Sequence, residues 1–438
     1  MTANLSRRAL LGLGLGAAGG IGVAGCGRFG GSTNTGGADA AAGELNFVWK
    51  GDATRAEQMR AAVDLFIEAH PDVEVSTEYQ SGSEYRQKLA IRFASNSPPD
   101  VMRMARESLR DYGDRGVLLD FNEYSDVLRT DKMPESVLNA GLVDGKLLGV
   151  AGGVTSMSMV IDHAAFTRFG VEAPDMTSWS WEDFGQVSAE LSEASNGEVY
   201  GGDLPIGELQ TFGTWLRQQG LDLWNEDGSI GFTAPEVTPW YELWVELEAM
   251  GAVPAGGAID VLGAAADQSA LAQGLTAAQV IPSNSFASFN TAAGGELEMG
   301  YLPGETTGAG RGMQLIPALF WSISSATAAP ESAVALVDFL VNDLGGNEAM
   351  AGTNGIPANQ EVVSALVQDL DEDEQVAYEH ILSLGELDLV DPIPAPVGAQ
   401  EFMEEMSTIA DEVRFARLSP AEAGEALVEA AQQSWAQE

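Results

Sequence analysis

The chain has 438 residues, of which 65 are acidic and only 21 are basic, so its formal net charge is -44. A surface this acidic repels nucleic acids and anionic lipid headgroups, and neither is expected as a partner. The chain is also too long for one comfortable hydrophobic core, which predicts two lobes.

The N-terminal segment is typical of an export signal. Arg7 and Arg8 precede an apolar, glycine-rich stretch that is too short for a permanent transmembrane helix. The arginine pair resembles the twin-arginine signal, with the general secretory route as the alternative. Small residues stand directly before Cys26, the only cysteine, and this pattern resembles the lipobox of bacterial lipoproteins. We therefore expect a signal peptide over 1–25, a lipid on Cys26 rather than an ordinary buried thiol, and no disulfides.

A regular alternation of strands and helices follows a predicted tether. Residues 26–43 are rich in Gly, Ser, Thr and Ala without an apolar period, as in a flexible linker. The next predicted elements are a strand at 45–49, a helix that starts from a capping box of Thr54 and Glu57 and stops at Pro71, a half-exposed strand at 73–79, a helix at 83–95 and a strand that opens at 100–102. This order predicts a largely parallel sheet covered by helices.

The same alternation continues towards the C-terminus. The pattern predicts a helix that opens at 181–184, helical structure at 238–250, a buried strand at 278–281, a strand at 319–324, a helix at 330–342 and helical structure from 400 onwards. The acidic run at 369–374 is interpreted as a solvated helix start or loop, not as a metal site.

Short motifs spread over most of the mature chain point to a family. In chain order they are Phe47-Val48-Trp49, Phe66 with His70-Pro71-Asp72-Val73, Pro99-Asp100-Val101, Leu118-Leu119-Asp120-Phe121, Asp144 to Val150, Trp179 to Phe184, Gly274 to Ala278, and Asn354-Gly355-Ile356-Pro357-Ala358. Their order and spacing resemble the family 1 extracellular solute-binding proteins, the maltose-binding-protein-like group.

The resemblance implies an α/β protein with the type II periplasmic-binding-protein fold, in which two lobes with mainly parallel sheets are joined by a hinge of several crossings. One lobe would comprise 44–153 with 303–355, and the other 154–302 with 356–438. The implied function is the extracytoplasmic solute-binding subunit of an ABC importer, which closes around a sugar or oligosaccharide between the lobes. Its implied partners are ABC permease subunits with a cytoplasmic ATPase. We expect a monomer without cofactor, anchored to the outer face of the cytoplasmic membrane by Cys26.

Several candidate ligand-binding residues come from family positions. Asp52 matches a position whose carboxylate contacts sugar hydroxyls, although it is equally suited to capping a helix. Arg106 and Glu107 follow the third strand, where the family carries a ligand-binding acid, or they form an exposed ion pair. The remaining candidates of this kind are Phe212, Trp215, Asn284, Phe286 and Gln400, with a core position as the alternative for Phe286.

Three more candidates come from local pattern. Thr155 and Ser156 follow Gly152-Gly153 at the first crossing between lobes, where glycines allow a close ligand or a flexible hinge. Strand alternation predicts that one of Phe320 and Trp321 faces the cleft and the other the core, and we favour Trp321 for the cleft.

The chain also departs from the maltose-binding pattern. It has Ala53 in place of a lysine, Thr155 in place of an acid and Asn284 in place of a tryptophan. Maltodextrin is therefore not the expected ligand, and another saccharide or a sugar-phosphate-like polyol stays open.

Other functional classes find less support in the sequence. No nucleophile elbow, P-loop or HExxH motif is present, and the three histidines, His70, His163 and His380, are far apart, so no catalytic residue, metal site or cofactor is expected. The open alternatives are a lipoprotein glycoside hydrolase with two carboxylates across a scissile bond, a binder of a peptide, polyamine or metal, and a sensory or adhesive surface lipoprotein.

Overall fold

Two β-sheets and the helices that cover them make up the described part of the chain. In a computed structural model, the described residues are 43–51, 53–80, 84–203, 205–256, 265–304, 311–387, 389–393 and 395–435. The predicted signal peptide, the predicted lipidation at Cys26 and nearly all of the predicted tether lie outside these residues.

The described residues contain ten strands, which form a five-stranded sheet, a three-stranded sheet and one small hairpin. The strands are β1 (Gly43–Lys50), β2 (Val73–Gln80), β3 (Val101–Met104), β4 (Leu142–Val143), β5 (Lys146–Leu147), β6 (Val150–Thr155), β7 (Met157–Asp162), β8 (Ala278–Pro282), β9 (Leu297–Gly300) and β10 (Ile316–Ile323). The large sheet has the order β2-β1-β3-β10-β6, and the smaller sheet has the order β8-β7-β9.

Fifteen α-helices surround the two sheets in the described part of the chain. They are α1 (Ala53–Ala69), α2 (Glu84–Ala94), α3 (Arg106–Asp114), α4 (Glu135–Asn139), α5 (His163–Phe169), α6 (Trp181–Ala194), α7 (Leu209–Gln218), α8 (Ala234–Ala249), α9 (Phe286–Ala293), α10 (Pro330–Asn342), α11 (Leu344–Met350), α12 (Gln360–Leu366), α13 (Glu372–Gly385), α14 (Ala399–Arg414) and α15 (Pro420–Trp435). No described helix is both long enough and apolar enough to span a bilayer.

The predicted α/β class is confirmed, but the strand directions are more mixed than expected. Strand β1 pairs in parallel with β2 and β3, as the β-α-β-α-β order predicts. Strand β10 runs antiparallel to both β3 and β6. The smaller sheet is antiparallel throughout. The expectation of mainly parallel sheets is thus wrong, because strands from distant parts of the chain are inserted in the opposite direction.

Most predicted elements are present, with small shifts at their ends. Helix α1 begins at Ala53, so Thr54 lies inside the helix rather than at its N-cap. Helix α10 spans 330–342 as predicted. The acidic run does start a helix, since Asp371 caps α13 and forms a capping box with Glu374. The predicted C-terminal helical region is divided into α14 and α15.

Two buried clusters hold the structure together. One surrounds the large sheet and includes the fully buried rings of Phe47 and Trp321. The other packs α7, α8, α14 and α15 around the aromatic rings of Phe212, Trp240 and Phe402. Such close-packed apolar clusters supply most of the free energy that favours folding, and they fix the strand ends that form the site.

Candidate functional site

The ends of strands from both sheets meet at one cleft. Strands β3 and β6 end there, and β10 begins there because it runs antiparallel to both. The end of β8 and the start of β7 reach the same cleft from the smaller sheet. The cleft has a volume of about 400 Å³, which is within the usual range for a small-molecule site. Ligands of α/β proteins bind at such strand ends and domain junctions.

The cleft wall combines several chemical types. Its described lining residues are Lys50, Tyr85, Arg86, Leu89, Arg103, Met104, Ala105, Arg106, Ser108, Tyr112, Thr155, Met157, Gln210, Pro282, Ile316, Pro317, Ala318 and Gln400. Amides and hydroxyls can both donate and accept hydrogen bonds, and guanidinium and ammonium groups donate them. A polyhydroxy solute needs this combination.

Hydrogen bonds fix the wall formed by the large sheet. The Tyr85 hydroxyl donates to the carbonyl of Arg103 at 2.6 Å, and Arg103 Nη1 donates to the carbonyl of Lys50 at 3.2 Å. Burial raises the pKa of Tyr85, so its hydroxyl stays protonated and keeps this bond at physiological pH. The bonds tie α2, β3 and the end of β1 into one surface.

A second set of hydrogen bonds joins the two sheets beside the cleft. Thr155 Oγ1 lies 3.2 Å from Ser283 Oγ and donates to Asn284 Oδ1 at 3.0 Å. The backbone N–H of Ser156 donates to Ser283 Oγ, and the N–H of Ser283 donates to the carbonyl of Ser156. Only Ser156 separates β6 from β7, so this crossing is short and well paired.

Among the predicted site residues, the structure brings together Arg106, Thr155 and Gln400. All three line the cleft, on α3, β6 and α14 respectively. Asp52 and the side chain of Glu107 lie outside the described residues. Both residues therefore stay predictions.

Ser156 and Asn284 do not line this cleft. Ser156 is buried in the crossing between the sheets. Asn284 lines a different cavity with residues of α9, α11 and α13. The side chain of Asn284 accepts a hydrogen bond from Thr155, which lines the cleft, and the backbone N–H of Ser156 donates to Ser283, so both residues stay predictions as ligand contacts.

Four predicted aromatic contacts are also corrected, because each ring lies in a hydrophobic core. Trp321 and Phe212 are 0% exposed, and Phe286 is 1% exposed. Trp215 is 7% exposed and stacks on Phe212, with ring centroids 6.4 Å apart. The alternation argument for Trp321 fails because the large sheet is covered on both faces, so Phe320 and Trp321 are both buried.

Gly152 and Gly153 are required by packing rather than by backbone flexibility. A methyl group on Gly152 would lie 2.5 Å from Trp321 Nε1, and one on Gly153 would lie 2.4 Å from the carbonyl oxygen of Asn354. Neither glycine has a positive φ. Their small size lets the indole ring and a neighbouring chain segment approach β6 closely.

Sequence reasoning missed most of the cleft wall, above all Lys50, Tyr85, Arg86 and Arg103. Lys50 and Arg103 had a usable signal, because each stands at or near the carboxyl end of a predicted strand. Tyr85 and Arg86 lie on α2, and only the fold shows that the start of this helix faces the cleft. In the described part of the chain, no group of three or more His, Cys, Asp or Glu side chains is arranged to hold a metal ion.

Comparisons with known proteins agree with this architecture. A binding protein of Brucella abortus is 22% identical over 175 residues, which span 39% of this chain and only 41% of that relative. An extracellular solute-binding protein family 1 structure from Alicyclobacillus acidocaldarius is 25% identical, with a TM-score of 0.76 over 90% of this chain and 98% of that one. A periplasmic oligogalacturonide binding protein from Yersinia enterocolitica is 18% identical, with a TM-score of 0.73 over 87% of this chain and 96% of that one.

The decisive comparison is with a family model. The model described as bacterial extracellular solute-binding protein matches residues 51–345, which include the strands and crossings that form the cleft. This match covers well over half of the chain and confirms the predicted resemblance and type II fold. The chain belongs to the bacterial extracellular solute-binding protein family.

Proposed function

We propose that this protein is the extracytoplasmic binding subunit of an ABC importer and that it captures a sugar or oligosaccharide in the cleft. The observation that carries the proposal is the cleft wall itself. Gln210, Gln400 and Thr155 line the cleft and offer hydrogen bonds to hydroxyl groups. The oligogalacturonide binding protein among the similar structures adds support from a saccharide binder with this fold.

Binding would work by closure of the two proposed lobes, 44–153 with 303–355 and 154–302 with 356–438. A solute that contacts both sides of the cleft binds the closed state more tightly than the open state and therefore shifts the population. Arg103 and Arg106 stand on the large-sheet side, while Gln210 and Gln400 stand on helices of the other side. The closed form is what permease subunits coupled to a cytoplasmic ATPase would recognise.

A thermal-shift screen of the full chain tests this function. A ligand that binds only the folded state raises its stability by RT ln(1 + [L]/Kd), about 2.7 kcal/mol at a hundredfold excess over Kd. We expect stabilisation by a subset of mono- and oligosaccharides and none by peptides, polyamines or divalent metals. Stabilisation by one of those other classes alone would reject a sugar ligand. Chromatography of the bound saccharide after incubation separates a binder from a hydrolase, since a binder returns it intact.

We also propose that a lipid on Cys26 holds the protein at the outer face of the cytoplasmic membrane. The support is the lipobox-like sequence and the predicted tether at 26–43. Fractionation of producing cells tests the anchor: the unchanged protein should sediment with membranes, and Cys26→Ser should appear in the soluble extracytoplasmic fraction. Equal membrane association of both forms would reject the anchor.

A further inference from the structure

A second cavity lies apart from the cleft. Residues of α9, α11, α12 and α13 and of the segments next to them line it, and its volume is about 300 Å³. No described residue lines both this cavity and the cleft. The second cavity can therefore hold a ligand of its own.

Three carboxylates give the second cavity a negative charge. Glu348 on α11, Asp369 between α12 and α13, and Glu374 on α13 line it, whereas its described lining residues include no lysine, arginine or histidine. None of these carboxylates forms an ion pair with a described residue. In a chain this acidic, many carboxylates are simply solvated, so their charge alone does not make a site.

The hydroxyl group of Tyr378 indicates a ligand independently of this charge. Tyr378 lines the second cavity and is only 6% exposed, and its hydroxyl has no hydrogen-bond partner among the described residues. A methyl group on Gly352, another lining residue, would lie 3.6 Å from the hydroxyl oxygen, so the hydroxyl itself borders the cavity. Burial and the nearby Glu374 raise the pKa of Tyr378 to about 12, so the hydroxyl stays protonated. A bound hydrogen-bonding group would recover the free energy that this unpaired hydroxyl costs.

The side chain of Asn347 adds a second unpaired acceptor. Asn347 also lines the cavity and is 6% exposed. Its Nδ2 donates to the carbonyl of Asp343 at 2.8 Å and to that of Leu340 at 3.4 Å, while its Oδ1 accepts no hydrogen bond from a described residue. Carboxylate and amide oxygens accept hydrogen bonds, and a tyrosine hydroxyl oxygen can accept them too. These atoms together favour a ligand that donates several hydrogen bonds and carries positive charge.

The rest of the wall limits the kind of cation. In the described part of the chain, no three carboxylates are arranged to hold a metal ion. Ile356, Leu366 and Ala377 are buried apolar residues of the cavity wall, against which an aliphatic group would pack favourably. A second charged group placed among them would lose its hydration without gaining a partner. The wall therefore favours an organic cation with one charge over a metal ion or a polyamine.

We propose that the second cavity binds a small organic cation with one primary ammonium group and an aliphatic tail. The ammonium group donates charge-assisted hydrogen bonds to the Tyr378 hydroxyl and to the neighbouring carboxylate of Glu374. Asn347 Oδ1 accepts a further bond, and the tail packs against the apolar part of the wall. The inference concerns a site outside the cleft and does not rest on the binding of a sugar there.

Saturation-transfer NMR titrations of the full chain with matched probes test the inference at constant ionic strength. The probe is butylammonium. Butanol has the same tail without the charge, butyltrimethylammonium keeps the charge without any N–H donor, and 1,4-diaminobutane adds a second ammonium group. We expect butylammonium to bind at least tenfold more tightly than each of the three other compounds, because only it satisfies both the acceptors and the apolar wall.

Three single variants localise the binding. Tyr378→Phe removes the unpaired hydroxyl and keeps the ring, so we expect butylammonium to bind about tenfold more weakly while the melting temperature is preserved. Glu348→Gln removes one charge from the cavity wall and should weaken binding about threefold. Glu401→Gln is the matched control, because it removes one charge from α14 outside this cavity and should bind as the unchanged protein does.

Each other outcome overturns the inference in a recognisable way. Equal binding of butyltrimethylammonium would show only a general attraction of cations to an acidic surface, and equal binding of butanol would show only an apolar pocket. Binding of 1,4-diaminobutane as tightly as of butylammonium would reject the single charge. Unchanged affinity in Tyr378→Phe, or equal weakening by Glu401→Gln, would reject the location, and the absence of saturable binding would reject the site. None of these results depends on whether the cleft binds a saccharide, so the inference and the proposed function fail separately.

Discussion

Two completely buried tryptophans allow the packing of the cores to be tested with one kind of substitution. Trp321 and Trp240 are both 0% exposed. Trp240 Nε1 donates a hydrogen bond to the carbonyl of Ile206 at 3.0 Å, whereas Trp321 Nε1 has no hydrogen-bond partner among the described residues. Replacement of either residue by phenylalanine removes a similar volume and one N–H group. The two substitutions therefore differ mainly in what they do to hydrogen bonding.

The expected magnitudes follow from this difference. Trp240→Phe leaves a buried carbonyl without its donor, which costs about 1–3 kcal/mol in addition to the lost packing. Trp321→Phe removes a buried N–H that was never paired, so only the packing loss of an incompletely filled site remains. We expect Trp240→Phe to lower the free energy of unfolding by about 1–3 kcal/mol more than Trp321→Phe.

Urea unfolding followed by far-UV circular dichroism measures this difference, since that signal depends little on the number of tryptophans. Equal slopes with denaturant show that both variants unfold from comparable native states. Equal losses of stability would refute the hydrogen-bond reasoning. Ligand titration of Trp321→Phe gives a second readout: we expect unchanged affinity, and a tenfold loss at preserved stability would instead put the indole ring in the binding site.

Three further predictions concern backbone packing and pH. Gly153→Ala should lower the free energy of unfolding by about 1–3 kcal/mol because its methyl group meets the carbonyl of Asn354, whereas Gly345→Ala on α11 has room and should be neutral in the same urea assay. Burial lowers the pKa of His380 to about 4, so its contribution to stability is complete above pH 6.5 and is lost as pH falls towards 4. The His380→Gln variant should show a flatter dependence of stability on pH in this range. Parallel profiles of the variant and the unchanged protein would contradict the prediction. Burial raises the pKa of Asp203 to about 8, so the contribution of this residue to stability is largest below pH 4 and falls as pH rises to 8. The Asp203→Asn variant should lack this fall in thermal melts from pH 4 to 8. An unchanged fall in the variant would contradict the prediction.

The two titrating residues act in opposite directions for a structural reason. His380 lies on α13 with its ring nitrogen 2.8 Å from Ser158 Oγ, and a buried imidazole resists gaining a proton. Asp203 is partly exposed as a residue, but its Oδ1 is buried and has no hydrogen-bond partner in the described part of the chain, so the carboxyl group resists losing its proton. The wild-type profile between pH 4 and 6.5 therefore contains two opposing slopes, which the single variants separate.

Local sequence patterns were sufficient for most elements because their causes are local. The alternation at 73–79 gave β2 with its half-exposed burial pattern, and Pro330 at a helix start preceded an apolar helix that ends at residue 342. The directions of β7, β8 and β9 were not accessible in this way. They depend on which strands the long connections bring together, and no local periodicity records that choice.

The candidate site was harder to predict than the fold for a related reason. The aromatic residues chosen from family position lie in cores, and Tyr85 and Tyr112, which border the cleft, are largely buried as well. A tyrosine on an amphipathic helix has the same local pattern whether it lines a cleft or covers a core. The sequence likewise does not distinguish Lys50, Arg86, Arg103 and Arg106 from other basic residues, and only the fold shows that they line one cleft.

The crossing between the sheets limits how the proposed closure can occur. Thr155 and Ser156 are held by Ser283 and Asn284, and Gly153 is packed against the segment at 354–355. A rotation that broke these contacts would leave several buried polar groups unpaired, each at a cost of about 1–3 kcal/mol. Closure would cost less free energy if the paired crossing stayed intact and small φ and ψ changes were distributed over the residues on either side of it. In the proposed closure, the hydrogen-bonded crossing would act as the pivot around which the two walls of the cleft approach each other.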